Sequence, residues 1–254
     1  MELNLIPRID RRKVGIATSV AKEYGFDWLK TIEWARSENL NHVQFYINPQ
    51  TLKEDLVSYL KYAQGLNACF HLPAAAGEAT IQYCLHTLQT FVTQNPIIII
   101  QHQQWAPTVE RFMPYFPEMI LAIENDFPGS EPDAFRGILQ EKLENSGPPF
   151  WAVLDIPRFY HQAPPELTFK QITSQIDGLF EFLQNHSLPF LIHAIDQTEE
   201  GGERAYWRPF LKGDLPWLHF IKTLRNSSDL LKCFVFEYEN WSMAKDGIDQ
   251  VTNG

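Results

Sequence analysis

Apolar runs of four to six residues recur along the chain, and between them apolar positions return every three or four residues. A short continuous run reads as a strand buried on both faces; the wider spacing reads as a helix with one buried stripe. Strands are predicted at residues 14–19, 43–47, 68–71, 97–102, 119–124, 151–155 and 190–193, and at a run ending near Glu237. The first helix is predicted over 27–39, and the second after a Thr51/Glu54 capping box with Leu52, Leu56, Val57 and Leu60 as its stripe. Others run through Ile81, Cys84, Leu85, Leu88 and Val92, over 108–115, and from a Ser130/Asp133 cap to about Glu144. Thr168 and Gln171 cap a helix that turns Ile172, Ile176, Leu179, Phe180 and Leu183 inward, and Pro216 opens the seventh. The connection over 196–214 reads as a long polar loop whose Gly201-Gly202 pair is a candidate for a mobile lid or simply for a flexible loop, and the tail from Trp241 as a short, frayed helix at most.

Strict alternation of strand and helix means a parallel sheet covered by helices. Eight such units in one chain of 254 residues predict an α/β fold, the closed (β/α)8 TIM barrel, as a single domain over 1–254. No glycine-rich phosphate loop follows the first strand, which speaks against an open dinucleotide-binding sheet.

Strand parity then selects what points into the barrel. The run Met119-Ile-Leu-Ala-Ile-Glu124 is apolar on both faces until its last residue, and Glu124 shares a face with Ala122 and Ile120. Asp155 shares one with Val153 and Trp151, His193 with Leu191, and Glu237 with Val235 and Cys233. His71 and His102 follow the same rule. In a parallel barrel these strand ends open on one face, where active sites sit. Glu124, Asp155, His193 and Glu237 come from four consecutive strands and are the candidate metal ligands. Three carboxylates and one imidazole suit one divalent ion, Mn2+ or Mg2+ first and Co2+ or Zn2+ next. The plain alternatives are a hydrogen-bonded core histidine, and an Asp155 that merely pairs with Arg158. Asp126 and Glu239 lie farther out and read as solvated rim.

Composition changes this picture little. A net charge of −10 disfavours a nucleic-acid partner. The longest aliphatic run, Ile97 to Ile100, is too short for a membrane span, and no signal-peptide pattern opens the chain. Three cysteines without metal spacing read as reduced thiols of a cytoplasmic protein. Arg158, Arg204, Arg208 and Lys212 near the mouth are candidates for an anionic group of the substrate, or simply solvated charges. Trp105, Phe127 and Trp207 are candidates for covering its apolar side, or for packing under loops.

The segments Phe70-His-Leu-Pro73, Ile123-Glu-Asn125, Val153-Leu-Asp155, Leu191-Ile-His193, Gly213-Asp-Leu-Pro-Trp217 and Phe236-Glu237 resemble the xylose-isomerase-like TIM-barrel superfamily, which also includes the apurinic-site endonucleases. The resemblance implies one divalent metal on Glu124, Asp155, His193 and Glu237, with Glu124 and Glu237 as the catalytic proton-transfer pair. His71, His102, Arg158, Trp105 and Arg208 are the expected substrate contacts. The implied activity is isomerisation or epimerisation of a small sugar or other polyhydroxy carbonyl compound through an enediolate. The alternatives are a dehydratase acting on an anionic polyhydroxy substrate and a binding protein that has lost turnover. Self-association into a homo-oligomer stays open. Two departures stand out: Asp155-Ile-Pro-Arg158 replaces an Asp-x-x-His pattern, and Gln44 stands where a glutamate is common.

Overall fold

The computed structural model describes residues 8–48, 56–90, 96–129, 131–145, 147–198, 207–225 and 229–253. Eight parallel strands close a barrel: β1 (Val14–Ala17), β2 (His42–Tyr46), β3 (Asn67–His71), β4 (Ile97–His102), β5 (Met119–Glu124), β6 (Phe150–Asp155), β7 (Phe190–Ala194) and, last in the chain, β10 (Leu231–Phe236). A small antiparallel pair, β8 (Asp196–Gln197) and β9 (Trp207–Arg208), stands apart from it. Closure is made where β1 pairs with both β2 and β10. This is the (β/α)8 barrel that the alternation predicts.

The parity rule sorts the interior. Ala17, Cys69, Ile98, Ile100, Ala122, Val153, Leu191, Cys233 and Val235 fill the barrel, with Tyr46, Ile120 and Trp151 packed against them. The opposite faces meet the helices in a larger core that includes Trp28, Phe45, Phe70, Leu121, Leu154, Ile192 and Phe234. Cys69, Cys84 and Cys233 are buried and unpaired.

Among the described residues, the helices between the strands are α1 (Trp28–Ser37), α2 (Leu56–Tyr62), α3 (Glu78–Leu88), α4 (Ala106–Glu110), α5 (Pro132–Glu144), α6 (Ile156–His161), α7 (Phe169–Asn185) and α8 (Trp217–Leu224), and a ninth follows β10. Asp27 caps α1 through Lys30 N, and Thr168 with Gln171 forms a reciprocal capping box on α7. The Thr51/Glu54 box, Ser130, Arg204 and the Gly201-Gly202 segment lie outside the described residues.

Four expectations need correction. The predicted 108–115 helix splits into α4 and a 3-10 turn at Met113–Tyr115, with Pro114 in that turn's first residues. Pro216 is the cap of α8 rather than its first helical residue. The tail is a thirteen-residue helix, α9 (Trp241–Asn253), that buries Ala244, Ile248 and Val251. The 196–214 connection is no polar loop at its start, since Asp196 and Gln197 are buried in β8. Helix α6 lies immediately after Asp155 and escaped the periodicity reading, because six residues hold too little pattern to register.

Candidate metal and acid–base centre

Register brings the polar strand ends together. His102 is level with Glu124 across β4 and β5, and Asp155 is level with His193 across β6 and β7. Glu237 follows β10, whose Val235 is level with His193. A cavity of about 550 Å³ opens above them, lined among others by Tyr46, His71, His102, Glu124, Asp155 and Arg158. Glu237, Asp126, His161 and Trp207 also line it. Trp105, Phe127 and Arg208 do not: Trp105 and Phe127 are exposed, and Arg208 donates to its neighbour Trp207's carbonyl. The loops after β4 and β5 carry the two aromatics outward, so two of the expected substrate contacts, Trp105 and Arg208, are not brought to the site.

Glu124 is the hub. Its Oε2 is 2.9 Å from His71 Nε2 and 3.8 Å from His102 Nε2, and its Oε1 is 2.9 Å from Arg158 Nη1 and 3.4 Å from His193 Nδ1. Asp155 caps α6 by accepting Arg158 N–H at Oδ1 (3.1 Å), and its Oδ2 lies 2.9 Å from Arg158 Nη2. Pairing with Arg158, the plain alternative for Asp155, is therefore realised. Ligand atoms of Glu124, Asp155 and His193 lie within 4.8 Å of one another, as do those of His71, His102 and Glu124. Glu237 stands outside both trios, although its Oε2 is 3.2 Å from His193 Nδ1.

Gln44 is the residue that sequence reading treats only as a departure. Its Nε2 donates to Glu237 Oε1 at 2.6 Å, so its Oε1 is left to accept from His193 Nε2 at 2.8 Å. The neutral imidazole then carries its proton on Nε2 and turns a lone pair from Nδ1 toward two carboxylates. That Nδ1 is buried and has no hydrogen-bond partner. His71 repeats the arrangement, with Nδ1 donating to Leu72 O at 2.8 Å and Nε2 facing Glu124. A lone pair facing an anion is tolerated only if a proton or a metal ion lies between. Fixing one ring nitrogen so that the other faces the ligand site is the usual way proteins orient metal-binding histidines. The residues present therefore fit a divalent ion, with Arg158 as a competing cation. Tyr46 also donates to Glu237 Oε1. Both Gln44 and Tyr46 share the inward parity of β2, the signal that finds them. Asp126, expected at a solvated rim, instead sits 3.0 Å from His102 Nδ1 and accepts from Gln104.

The electrostatics separate the two glutamates. Burial opposes ionisation of Glu124, but Arg158, His193 and His71 together hold its carboxyl well below the usual range. Burial raises Glu237; His193 and the Tyr46 hydrogen bond pull against this, while the Glu124 and Asp155 charges add to it, and the net direction is upward. Burial disfavours a charged His193, yet Glu237 and Glu124 bring it up to about 9. Tyr46 is raised by burial and by Glu237.

No protein-family model matches this sequence, and no curated protein does. Solved structures do. A D-tagatose 3-epimerase-like protein superposes with a TM-score of 0.59 at 12% identity, over 92% of this chain and 94% of that one. The probable 3-DHS dehydratase AsbF involved in petrobactin synthesis from Bacillus anthracis gives 0.58 at 12%, over 94% and 97%. A xylose isomerase domain protein from Planctomyces limnophilus gives 0.57 at 11%, over 94% and 93%. Likeness at this identity speaks to architecture, since one barrel hosts many chemistries. The chain has the closed (β/α)8 TIM-barrel fold that these proteins share.

Proposed function

We propose that this chain is a metal-assisted isomerase or epimerase of a small sugar or other polyhydroxy carbonyl compound, working through an enediolate. The observation that carries this reading is the pair of buried glutamates on either side of His193 Nδ1, at 3.4 and 3.2 Å, with their acidities driven apart. Two like groups tuned in opposite directions divide the acid and base roles between them. A divalent ion on Glu124, Asp155 and His193, with Mn2+ or Mg2+ the best match to an oxygen-rich set, would supply the Lewis acidity that makes a C–H beside a carbonyl removable.

The chain's own groups do the rest. Gln44 and Tyr46 both donate to Glu237 Oε1, which leaves Oε2 as the position that takes up and returns a proton. A carboxyl raised toward neutrality suits that task better than a fully committed carboxylate such as Glu124. Delivery of a proton by the other glutamate of the pair to the opposite face of the same carbon would give epimerisation; return by Glu237 to the neighbouring carbon would give isomerisation. The test is exchange of substrate C–H for deuterium in D2O over a panel of ketoses and keto acids. Glu237→Gln is expected to abolish exchange while circular dichroism stays that of the folded barrel. Unchanged exchange excludes Glu237 as the base.

A second reading is favoured by one feature. Arg158 lines the cavity beside the proton-transfer pair, which suits an anionic substrate and, with it, loss of a β-hydroxyl in a dehydratase. Mass analysis of the same incubations separates the two: a dehydratase gives a product lighter by one water, whereas an epimerase or isomerase leaves the molecular formula of its substrate unchanged.

A further inference from the structure

Among the described residues, Arg158 is the side chain that forms an ion pair with both Glu124 and Asp155. Its guanidinium bridges the very oxygens on which a metal would draw: Nη1 lies 2.9 Å from Glu124 Oε1, and Nη2 lies 2.9 Å from Asp155 Oδ2. Nη1 also donates to Asn125 O at 2.7 Å. A planar fork is suited to such a bridge; a point-charge ammonium is not. Asp126 Oδ1 lies 3.8 Å from Nη1, so three carboxylates, those of Glu124, Asp155 and Asp126, converge on this guanidinium. Beside them His193 Nδ1, 1% exposed, has no hydrogen-bond partner and aims between Glu124 and Glu237.

We infer that Arg158 is a tethered cation that couples the metal to an anionic ligand. The inference rests on the metal-assisted reading above and goes beyond it. Without metal, the guanidinium neutralises Glu124 and Asp155. A divalent ion competes for the same oxygens and frees the guanidinium. Arg158 lines the cavity, so the freed fork is presented to whatever enters. It is made to take a carboxylate or phosphate oxygen pair. Each ligand then favours the state that the other needs, and the two bind cooperatively. Such coupling is reciprocal by necessity: the factor by which the anion tightens the metal equals the factor by which the metal tightens the anion. The substrate class it selects is a polyhydroxy acid over the neutral polyol of the same skeleton.

The test uses calorimetric titration of the whole chain with Mn2+, alone and with gluconate or sorbitol, correcting free Mn2+ for chelation by gluconate. Arg158→Gln is expected to bind Mn2+ at least about tenfold more tightly than the wild-type chain when no anion is present. Gluconate is expected to tighten Mn2+ binding about fivefold or more in the wild type, the range typical of coupled sites, with no effect from sorbitol and none of gluconate in Arg158→Gln. Equal Mn2+ affinity in the two proteins overturns the tether while leaving the metal-assisted reading intact. Equal effects of gluconate and sorbitol overturn the anion selectivity. Failure of both proteins to bind Mn2+ overturns the tether and the metal-assisted reading together. If circular dichroism shows Arg158→Gln unfolded, Arg158→Lys decides: it keeps the charge but not the bridge, and unaltered Mn2+ affinity with unaltered gluconate coupling sinks the proposal.

Discussion

At Gln44 a neutral amide decides which nitrogen of a histidine meets the acids. Its two hydrogen bonds, to Glu237 and to His193, form a chain in which each partner fixes the next. A leucine there would leave His193 Nε2 without its partner in a buried setting and Glu237 Oε1 with Tyr46 alone. Gln44→Leu is expected to lower divalent-metal affinity by about 10- to 100-fold, as loss of such an orienting partner usually does; competition against a chelator measures it. His42 supplies a pH effect remote from this centre. Burial is the main cause that lowers its imidazole to about 4. An unfolded histidine titrates near 6.5, so between these values the unfolded chain holds the extra proton. Stability from this source is fully present above pH 6.5 and is lost as pH falls toward 4. The loss is expected to be on the order of 2 kcal/mol. Urea unfolding at about pH 7 and about pH 4.5 reads it, and His42→Gln is expected to flatten the difference.

Two elements are held by contacts that local sequence does not advertise. Helix α9 packs Ala244, Ile248 and Val251 at no exposure, and Ile9 N–H donates to Val251 O. Ile248→Ala is expected to cost about 2–5 kcal/mol, the range for a buried aliphatic truncation, measured by denaturant midpoint. The turn over 213–215 is organised by the buried Asp196, which accepts from Gly213 N, Leu215 N and Gln197 N. A Cβ on Gly213 would run into the Asp196 carboxylate. That approach admits no side chain without displacing the carboxylate. Gly213→Ala is therefore expected to destabilise by roughly 1–3 kcal/mol, as overpacking of a close contact does. Because this turn leads into α8, a fall in thermal midpoint is the readout.

For the whole molecule, the candidate centre joins elements far apart in the chain. Glu237 follows β10 yet is bonded to Gln44 and Tyr46 on β2. Filling such a centre stabilises only the closed barrel, because the unfolded chain cannot assemble the ligands. By mass action, Mn2+ at a hundred times its dissociation constant is expected to add about 2.7 kcal/mol to unfolding. The rise in thermal midpoint checks this, and His193→Ala is expected to remove it. Among the described residues no helix is long and apolar enough to cross a membrane.

The order of apolar and polar residues was enough to determine the barrel. Strand parity needs no tertiary information: a residue two positions from a core residue faces the same way, so Ala122, Val153, Leu191 and Val235 carried Glu124, Asp155, His193 and Glu237 inward with them. What parity does not contain is distance along the barrel axis or the rotamer of a long side chain. Only the folded register could show that Glu237 sits outside the Glu124, Asp155 and His193 trio, that His71 and His102 gather on Glu124, and that Trp105 and Arg208 miss the cavity. Only tertiary packing could bring Arg158, one turn into a helix too short to leave a pattern, back across two strand ends. A side chain with that reach chooses among partners by the field of the assembled site, and that field exists only once strands distant in sequence stand side by side.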